Sequence, residues 1–285
     1  MSAAKHSYAL RPAAPAGTSA GREPAALAAG RRYGLALVLG LLGIAAWQAV
    51  TFFRDEPTWL LPSPWDVLQA LADSPGLIFR HAAVTAQEAI IGLVISVVFG
   101  FLLGVAVSWS RLVEQAVYPY VIASQAVPII AIGPVLVVWL GWGLLPKIVI
   151  IVLITFFPIT INTVDGLRRV DPEMLTLMRS LGASPWQVFK TVRLPSALPL
   201  IFSGAKIAAA VAVIGAVFGE WVGASEGLAF LIKRASAQFL TARVFASVVV
   251  LAVMGVLLFS AVAYLERKAT PWARRQANDR AGQGR

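Results

Sequence analysis

Long apolar stretches recur along the chain and are separated by short segments in which the charged residues concentrate. A bilayer crossing takes about 20 mainly apolar residues. Six stretches reach or approach that length, at residues 34–53, 84–109, 116–140, 148–164, 200–221 and 245–265. The pattern predicts an all-α polytopic membrane protein with about six transmembrane helices. The first stretch is too long for the apolar region of a signal peptide, so we expect it to be retained.

The composition agrees with a membrane protein. Of the 285 residues 58% are hydrophobic and only 13% are charged, whereas about 25% are charged in an average soluble domain. The net charge is +10, and the basic residues fall mostly on one side of the predicted spans. The positive-inside rule then places both termini in the cytoplasm. Basic residues that flank spans favour lipid headgroups as partners, and not nucleic acid.

The two ends of the chain have a different character from the middle. Residues 1–33 are rich in Ala, Gly and Pro with scattered basic residues, so we expect a disordered basic cytoplasmic tail. Residues 267–285 are expected to form a basic cytoplasmic C-terminal tail. Between them, residues 34–266 form the predicted transmembrane domain.

The residue types disfavour catalysis and metal binding. The sequence has no cysteine and two histidines, which excludes disulfides and thiolate metal sites and disfavours a histidine cluster. It has no G-x-x-x-x-G-K-[ST] phosphate loop, so we expect no ATP site of that kind. No nucleophile and base stand at a recognisable spacing. We therefore expect no cofactor, no metal, no catalytic residue and a noncovalent function.

The longest polar loop, residues 166–197, contains a predicted pair of short helices. Asp171, which a proline follows, can cap the first helix. Gly182 suits the left-handed position that ends it. Ser184, with Gln187 three residues later, has the pattern of a capping box and predicts a second helix. The loop is therefore a predicted helical hairpin.

The second helix, from Pro185 to about Arg193, has an aromatic and basic surface. Trp186 and Phe189 recur at helical spacing, and we expect both to make buried contacts with a partner. Pro195 disfavours helical geometry in the residue before it, so the helix is predicted to end there. An aromatic centre with a basic rim is typical of a docking surface. A loop that packs only against its own spans, or a DNA-binding helix-turn-helix, is an alternative, although anchoring of both ends in the membrane disfavours the latter.

At this point the sequence resembles the EAA loop of permease subunits from bacterial ABC importers, whose pattern is E-A-A-x3-G-x9-I-x-L-P. Gly182, Val192 and the pair Leu194–Pro195 match that spacing, whereas residues 176–178 read Thr-Leu-Met. The resemblance implies that the second helix inserts into a cleft of an ATPase subunit. It also implies a set of ATPase-coupling residues, with Glu173 as a substitute for the missing glutamate: Glu173, Gly182, Ala183, Ser184, Pro185, Trp186, Phe189, Leu194 and Pro195.

The resemblance covers nearly the whole predicted transmembrane domain. Three segments are similar to the branch that transports nitrate, sulfonates, taurine and thiamine pyrimidine precursors: residues 61–71, 124–143 and 156–173. Three others look closest to the pyrimidine-precursor (hydroxymethylpyrimidine) permeases: residues 85–92, 177–184 and 219–228.

This resemblance implies a permease homodimer in the bacterial inner membrane. A separate ABC ATPase subunit would drive it, and a periplasmic binding protein would deliver a small solute. The implied solute is a thiamine pyrimidine precursor, with sulfonates, taurine and nitrate as alternatives.

Polar residues inside the spans are candidates for a translocation pathway, because polarity at membrane depth is costly unless it faces a cavity or the bundle interior. The predicted pathway residues are Ser124, Gln125, Asn162 and Glu220. Hydrogen bonds between helices use the same residue types and are an alternative for each. Glu88 and Glu220 lie near the predicted outer ends of their spans, where contact with water is a further alternative. Small residues along the fifth span suit internal packing or a subunit interface equally.

A function of another class also fits the residues alone. A membrane scaffold or receptor that transports nothing would use the same hairpin to bind a cytoplasmic partner. The two functions differ in whether ATP hydrolysis by that partner moves a solute.

Overall fold

The computed structural model of the chain describes residues 25–54, 57 and 59–273, and no strand occurs in that part of the chain. The helices are α1 (Ala25–Arg54), α2 (Pro64–Asp73), α3 (Pro75–Trp109), α4 (Arg111–Ala123), α5 (Ile129–Leu140), α6 (Leu144–Arg168), α7 (Pro172–Ser180), α8 (Pro185–Val188), α9 (Leu194–Gly223), α10 (Leu228–Ala237) and α11 (Thr241–Ala269). The predicted all-α class is confirmed.

Four stretches of helix are long and apolar enough to cross a membrane: Pro75–Trp109, Leu144–Arg168, Pro185–Gly223 and Thr241–Ala269. They contain the second, fourth, fifth and sixth predicted spans. The first predicted span lies in α1, whose apolar segment is Leu37–Phe53. Helix α1 already begins at Ala25, so the predicted boundary at residue 34 falls inside a helix. Residues 1–24 and 274–285 of the predicted tails lie outside the described residues.

The third predicted span is broken in the middle. Helices α4 and α5 are bent by 105° relative to each other, and a 3₁₀ turn, Ser124–Ala126, lies between them. Pro128, which precedes α5, has no backbone N–H, and Val127 before it is extended. Proline disfavours helical geometry in its predecessor. The predicted span over 116–140 therefore consists of two helices on either side of a break at Ser124–Pro128.

The core of the bundle is α6, which packs between α3 and α9. Glycines make the close approach possible. A side-chain Cβ at Gly100 of α3 would lie 2.8 Å from the carbonyl oxygen of Phe156, and one at Gly204 of α9 would lie 2.5 Å from that of Pro158. Small residues allow helix backbones to approach closely in a membrane. Most of the small residues of the fifth span are buried in this way inside the chain itself.

The two ends of the bundle differ in structure. At one end lie α7, α8 and the residues that follow; we call Pro172–Arg193 the hairpin. At the other end the chain leaves α9 and turns through residues 224–227 into α10, which packs against α9 and α11. We call residues 224–227 the α9–α10 turn. These two ends contain the functional candidates.

Candidate functional site

The local structure of the hairpin follows its sequence. The Asp171 side chain accepts a hydrogen bond from the N–H of Glu173 at 2.9 Å, and Gly182 adopts a φ of +75° after α7. The backbone N–H of Ser184 donates to Gln187 Oε1 at 2.7 Å, and the N–H of Gln187 donates to Ser184 Oγ at 3.3 Å. These are the reciprocal bonds of a capping box. The predicted cap, turn and second start are confirmed.

Trp186 and Phe189 lie in different environments despite their helical spacing. The Trp186 side chain is 62% exposed, whereas Phe189 is 7% exposed. Phe189 packs in a cluster with Leu167 of α6 and Ile201 of α9. Its ring and that of Trp109 form a T-shaped pair with centroids 5.6 Å apart. The end of α3 and the two spans thus already enclose the Phe189 ring within the chain, and its contact with a partner stays a prediction.

The buried Phe189 ring packs against one face of the Trp186 indole. The two rings stack with centroids 5.5 Å apart and an interplanar angle of 19°. A stacked ring restrains the Trp186 indole while one face stays accessible. The hairpin thus presents one large, restrained aromatic side chain on its surface.

The second helix does not end at Pro195. Residues Phe189–Arg193 form a π-helical turn, in which the N–H of Leu194 bonds the carbonyl of Phe189, and α9 follows directly. The prediction of a helix end before the fifth span is therefore wrong. The wider turn bonds residues five apart, and Pro195, at the start of α9, has no N–H to lose. The result is one continuous helix from Pro185 to Gly223.

Three of the four predicted pathway residues lie on α6 and on the break between α4 and α5. Gln125 is exposed and donates to Ser124 Oγ at 3.4 Å, and Ser124 Oγ bonds the carbonyl of Val121 at 2.7 Å. Asn162 is half-buried, and its amide donates to the carbonyl of Pro158 at 2.8 Å. Each of these bonds stays within one segment of the chain. The break therefore places polar residues between two otherwise apolar α-helices.

Glu220 has a different environment from the other three. It is 2% exposed. The Thr85 hydroxyl donates to its Oε1 at 2.5 Å, and the backbone N–H of Ala229 donates to its Oε2 at 2.6 Å. Both carboxylate oxygens therefore accept hydrogen bonds from inside the chain, and the place of Glu220 on the translocation pathway stays a prediction. Through these two hydrogen bonds Glu220, on α9, connects α3 to the start of α10.

The α9–α10 turn is held from a second direction by residues that the sequence did not single out. The N–H of Gly227 donates to His81 Nδ1 at 3.0 Å, and the N–H of Leu228 donates to Thr85 Oγ1 at 2.8 Å. Gly227 has a φ of +114°, and a Cβ there would collide with the Glu220 carboxylate. His81 is buried. Its partners are about 146 positions away along the chain, so no local pattern could reveal them.

Glu88 is buried in an ion pair with Lys147. The Lys147 ammonium donates to Glu88 Oε1 at 2.6 Å, and the carboxylate is 3% exposed. This burial argues against contact with water, one of the alternatives for Glu88. The pair joins α3 to α6 near the α9–α10 turn. The two residues are 59 positions apart along the chain, so no local sequence pattern marks them as partners.

The chain has clear relatives among known proteins. The family described as "Binding-protein-dependent transport system inner membrane component" matches residues 96–271. A formylaminopyrimidine transport permease protein of Halalkalibacterium halodurans is 40% identical over 237 residues, which cover 83% of this chain and 94% of that protein.

Two further relatives are named for other substrates. A riboflavin transport system permease protein of Chloroflexus aurantiacus is 37% identical, over 84% of this chain and 90% of that protein. A taurine transport system permease protein of Escherichia coli is 31% identical, over 83% and 89% respectively.

A solved structure shares the fold. The inward-facing MetNI methionine ABC transporter aligns with a TM-score of 0.62 at 22% identity, over 70% of this chain and 98% of the other. The predicted resemblance to ABC importer permeases is confirmed by these matches. The chain belongs to the family of binding-protein-dependent transport system inner membrane components, the permease subunits of ABC importers.

Proposed function

We propose that the hairpin docks into the ATPase subunit and that the spans thereby import a pyrimidine precursor of thiamine. The observation that carries the docking role is the exposed Trp186, stacked on a buried Phe189 at the start of a helix that continues into the bundle. An exposed aromatic side chain on a rigid base is the type of residue that dominates protein interfaces. The family implies an ATPase and a binding protein as partners.

The residues predicted for ATPase coupling fall into two groups in this proposal. Trp186 contacts the ATPase, together with other residues at the surface of the hairpin: Glu173, Gly182, Ala183, Ser184 and Pro185. Phe189, Leu194 and Pro195 instead connect the hairpin to the spans, since Phe189 and Leu194 pack in the same cluster. The boundaries of the coupling loop at 166–197 stay a prediction.

The wider arrangement is also proposed. Residues 34–266 would form the transmembrane domain, with both termini in the cytoplasm, two copies per transporter and lipid around them. The chain would have no enzymatic activity of its own, because ATP hydrolysis would occur on the partner subunit.

The solute is proposed from the relatives. The formylaminopyrimidine permease shares 40% identity with this chain, compared with 37% for the riboflavin permease and 31% for the taurine permease. The order favours a pyrimidine, and riboflavin is the second candidate because its permease is nearly as similar. Uptake by proteoliposomes that contain the permease, its ATPase and its binding protein tests this, with labelled formylaminopyrimidine and hydroxymethylpyrimidine beside riboflavin and taurine.

The docking role is tested in the same preparation with Trp186→Ala. We expect ATPase binding and uptake to fall together, by tenfold or more, as about 2 kcal/mol is lost with a central aromatic side chain. Trp65→Ala is the matched control, because Trp65 on α2 is also 62% exposed but lies outside the hairpin. Full ATPase binding by Trp186→Ala would contradict the docking role.

The polar break Ser124–Pro128 is proposed to line the translocation pathway with Asn162. Non-helical backbone at membrane depth is tolerated where protein buries it or where it lines a water-filled cavity, and Gln125 is exposed. The absence of native cysteine makes a direct test simple. Gln125→Cys should react with a membrane-impermeant maleimide during transport, whereas Val94→Cys, exposed on apolar α3, should not. If both cysteines were equally protected from the maleimide, the proposal that Gln125 lines the pathway would be contradicted.

A further inference from the structure

A cavity of about 280 Å³ lies beside Trp186 in the hairpin. Its lining comprises the end of α3, the end of α7 and one face of the second helix: Trp109, Arg179, Ala183, Pro185, Val188 and Arg193. The volume is well above the ~30 Å³ that one water molecule takes up. Two of the lining residues are arginines, and none is acidic.

Neither arginine is neutralised by the residues that the structure describes. Among the described residues, the ion pairs involve Arg80, Lys147, Arg168 and Lys206, and no hydrogen bond or ion pair holds Arg179 or Arg193. Arg168, only a short distance along the chain, pairs with Glu114 at 2.8 Å. The bundle therefore supplies an acidic partner for Arg168. Arg179 and Arg193, which line one cavity, have none among the described residues.

The loop as a whole has the same charge bias. Residues 166–197 contain five basic and two acidic residues. The acidic ones, Asp171 and Glu173, lie at the start of α7, whereas Arg179 is in its last turn. A partner that covers Trp186 also reaches the cavity, because Pro185, the residue before Trp186, is part of its lining. Two guanidinium groups covered without a counter-charge would be strongly unfavourable.

We propose that an acidic side chain of the ATPase subunit enters this cavity and pairs with Arg179 and Arg193 when the hairpin docks. This inference rests on the docking role proposed above. Arginine is suited to the contact, because its planar fork binds a carboxylate through two parallel hydrogen bonds. The hairpin then contributes the cations and the ATPase contributes the carboxylate, and the pair fixes the orientation in which Trp186 docks.

Carbodiimide cross-linking of the assembled permease–ATPase complex tests the proposal. A carbodiimide joins a lysine amine to a carboxylate only in direct contact, so Arg179→Lys and Arg193→Lys convert each cation into a reporter. Each should cross-link to an aspartate or glutamate of the ATPase, which mass spectrometry of the joined peptides identifies. Arg169→Lys, an exposed position at the end of α6 outside the cavity, is the matched control and should not cross-link there.

Charge reversal provides an independent measurement. Arg179→Glu with Arg193→Glu should weaken ATPase binding by about 30-fold or more, the lower end for loss of a buried charge pair. Changing the identified acid to arginine should restore binding. A complex that assembles with no cross-link from positions 179 and 193, and that tolerates charge reversal, would overturn this inference and leave docking through Trp186 intact. Failure of the wild-type chain to bind the ATPase would overturn both.

Discussion

At the scale of single residues, Glu220 shows how much one side chain can organise. Its two oxygens accept bonds from α3 and from the start of α10, while it belongs to α9. Three helices therefore meet at one buried carboxylate. The exposed ion pair between Arg80 and Glu226 lies nearby and joins α3 to the α9–α10 turn.

Replacement of Glu220 by glutamine tests this role. A glutamine amide has one oxygen, so it can accept the hydrogen bond from Thr85 or the one from Ala229, but not both. Its NH₂ group, which is a donor, would then face the remaining donor. We expect a loss of about 1–3 kcal/mol in the free energy of unfolding, and faster amide hydrogen exchange at Leu228 and Ala229. Thermal unfolding in detergent and exchange mass spectrometry measure the two effects.

Glu226→Gln is the control for that experiment, because it removes a neighbouring carboxylate of the same type from an exposed pair. Exposed pairs contribute about 0–1 kcal/mol. If the two variants lost the same stability, the special role of the buried carboxylate would be disproved.

The sequence predicted some residue environments and missed others for a physical reason. The caps at Asp171 and Ser184 depend on neighbours two or three positions away, and they were predicted correctly. Thr85 and Glu220 are separated by 135 positions, and only the packed fold brings them together. Trp186 and Phe189 share a helical face, yet the position of Trp109 decides which of them is buried.

At the scale of elements, the π-helical turn Phe189–Arg193 determines how the hairpin is joined to α9. A π turn holds one more residue than an α turn, and an α-helix rotates about 100° per residue. The direction in which Trp186 faces relative to the spans thus depends on this turn. Hydrophobic periodicity located α9 but could not show the π-helical turn, because this turn interrupts no apolar stretch.

Pro195→Ala should change this orientation. Alanine restores an N–H that can bond the carbonyl of Thr191, four residues earlier, and so favours an ordinary α turn. Trp186 would then rotate by about 100° relative to α9. We expect fewer solute molecules imported per ATP hydrolysed, by severalfold, which simultaneous measurement of uptake and hydrolysis in proteoliposomes records.

Pro199→Ala is the matched control, because Pro199 lies inside α9 one turn later with no π-helical residue beside it. Its removal should leave the ratio of uptake to hydrolysis nearly unchanged. The same ratio in both variants, whether high or low, would show that the turn does not set the coupling.

At the scale of the whole molecule, the bundle depends on how closely α3 and α9 approach α6. Hydropathy predicted which helices are long and apolar enough to cross a membrane. In a bilayer such a stretch must satisfy its own backbone hydrogen bonds, which a helix does. Hydropathy could not predict which helices touch, because glycines are spread over several spans and only some lie at a contact. Gly100 meets backbone, whereas Gly255 of α11 has its nearest neighbouring atom, the carbonyl of Ala210, 4.0 Å away from a Cβ position.

Gly100→Ala and Gly255→Ala therefore have opposite expected effects. Both gain about 1 kcal/mol of helix propensity. At Gly100 the new methyl would lie 2.8 Å from the carbonyl oxygen of Phe156, and separation of α3 from α6 should lower stability by about 1–3 kcal/mol. The midpoint of thermal unfolding in detergent should fall for Gly100→Ala and stay or rise for Gly255→Ala. A stabilised Gly100→Ala would contradict the packing of α6 described above.

The continuous helix Pro185–Gly223 has a mechanical consequence. Its 39 residues correspond to about 58 Å of helix at 1.5 Å per residue. If the hairpin end is held and the helix tilts by about 10°, the far end moves by roughly 10 Å, as simple trigonometry on that length requires. If the ATPase holds the hairpin, as proposed above, a rigid helix of this length would transmit its movement directly to the α9–α10 turn at the opposite end of the bundle.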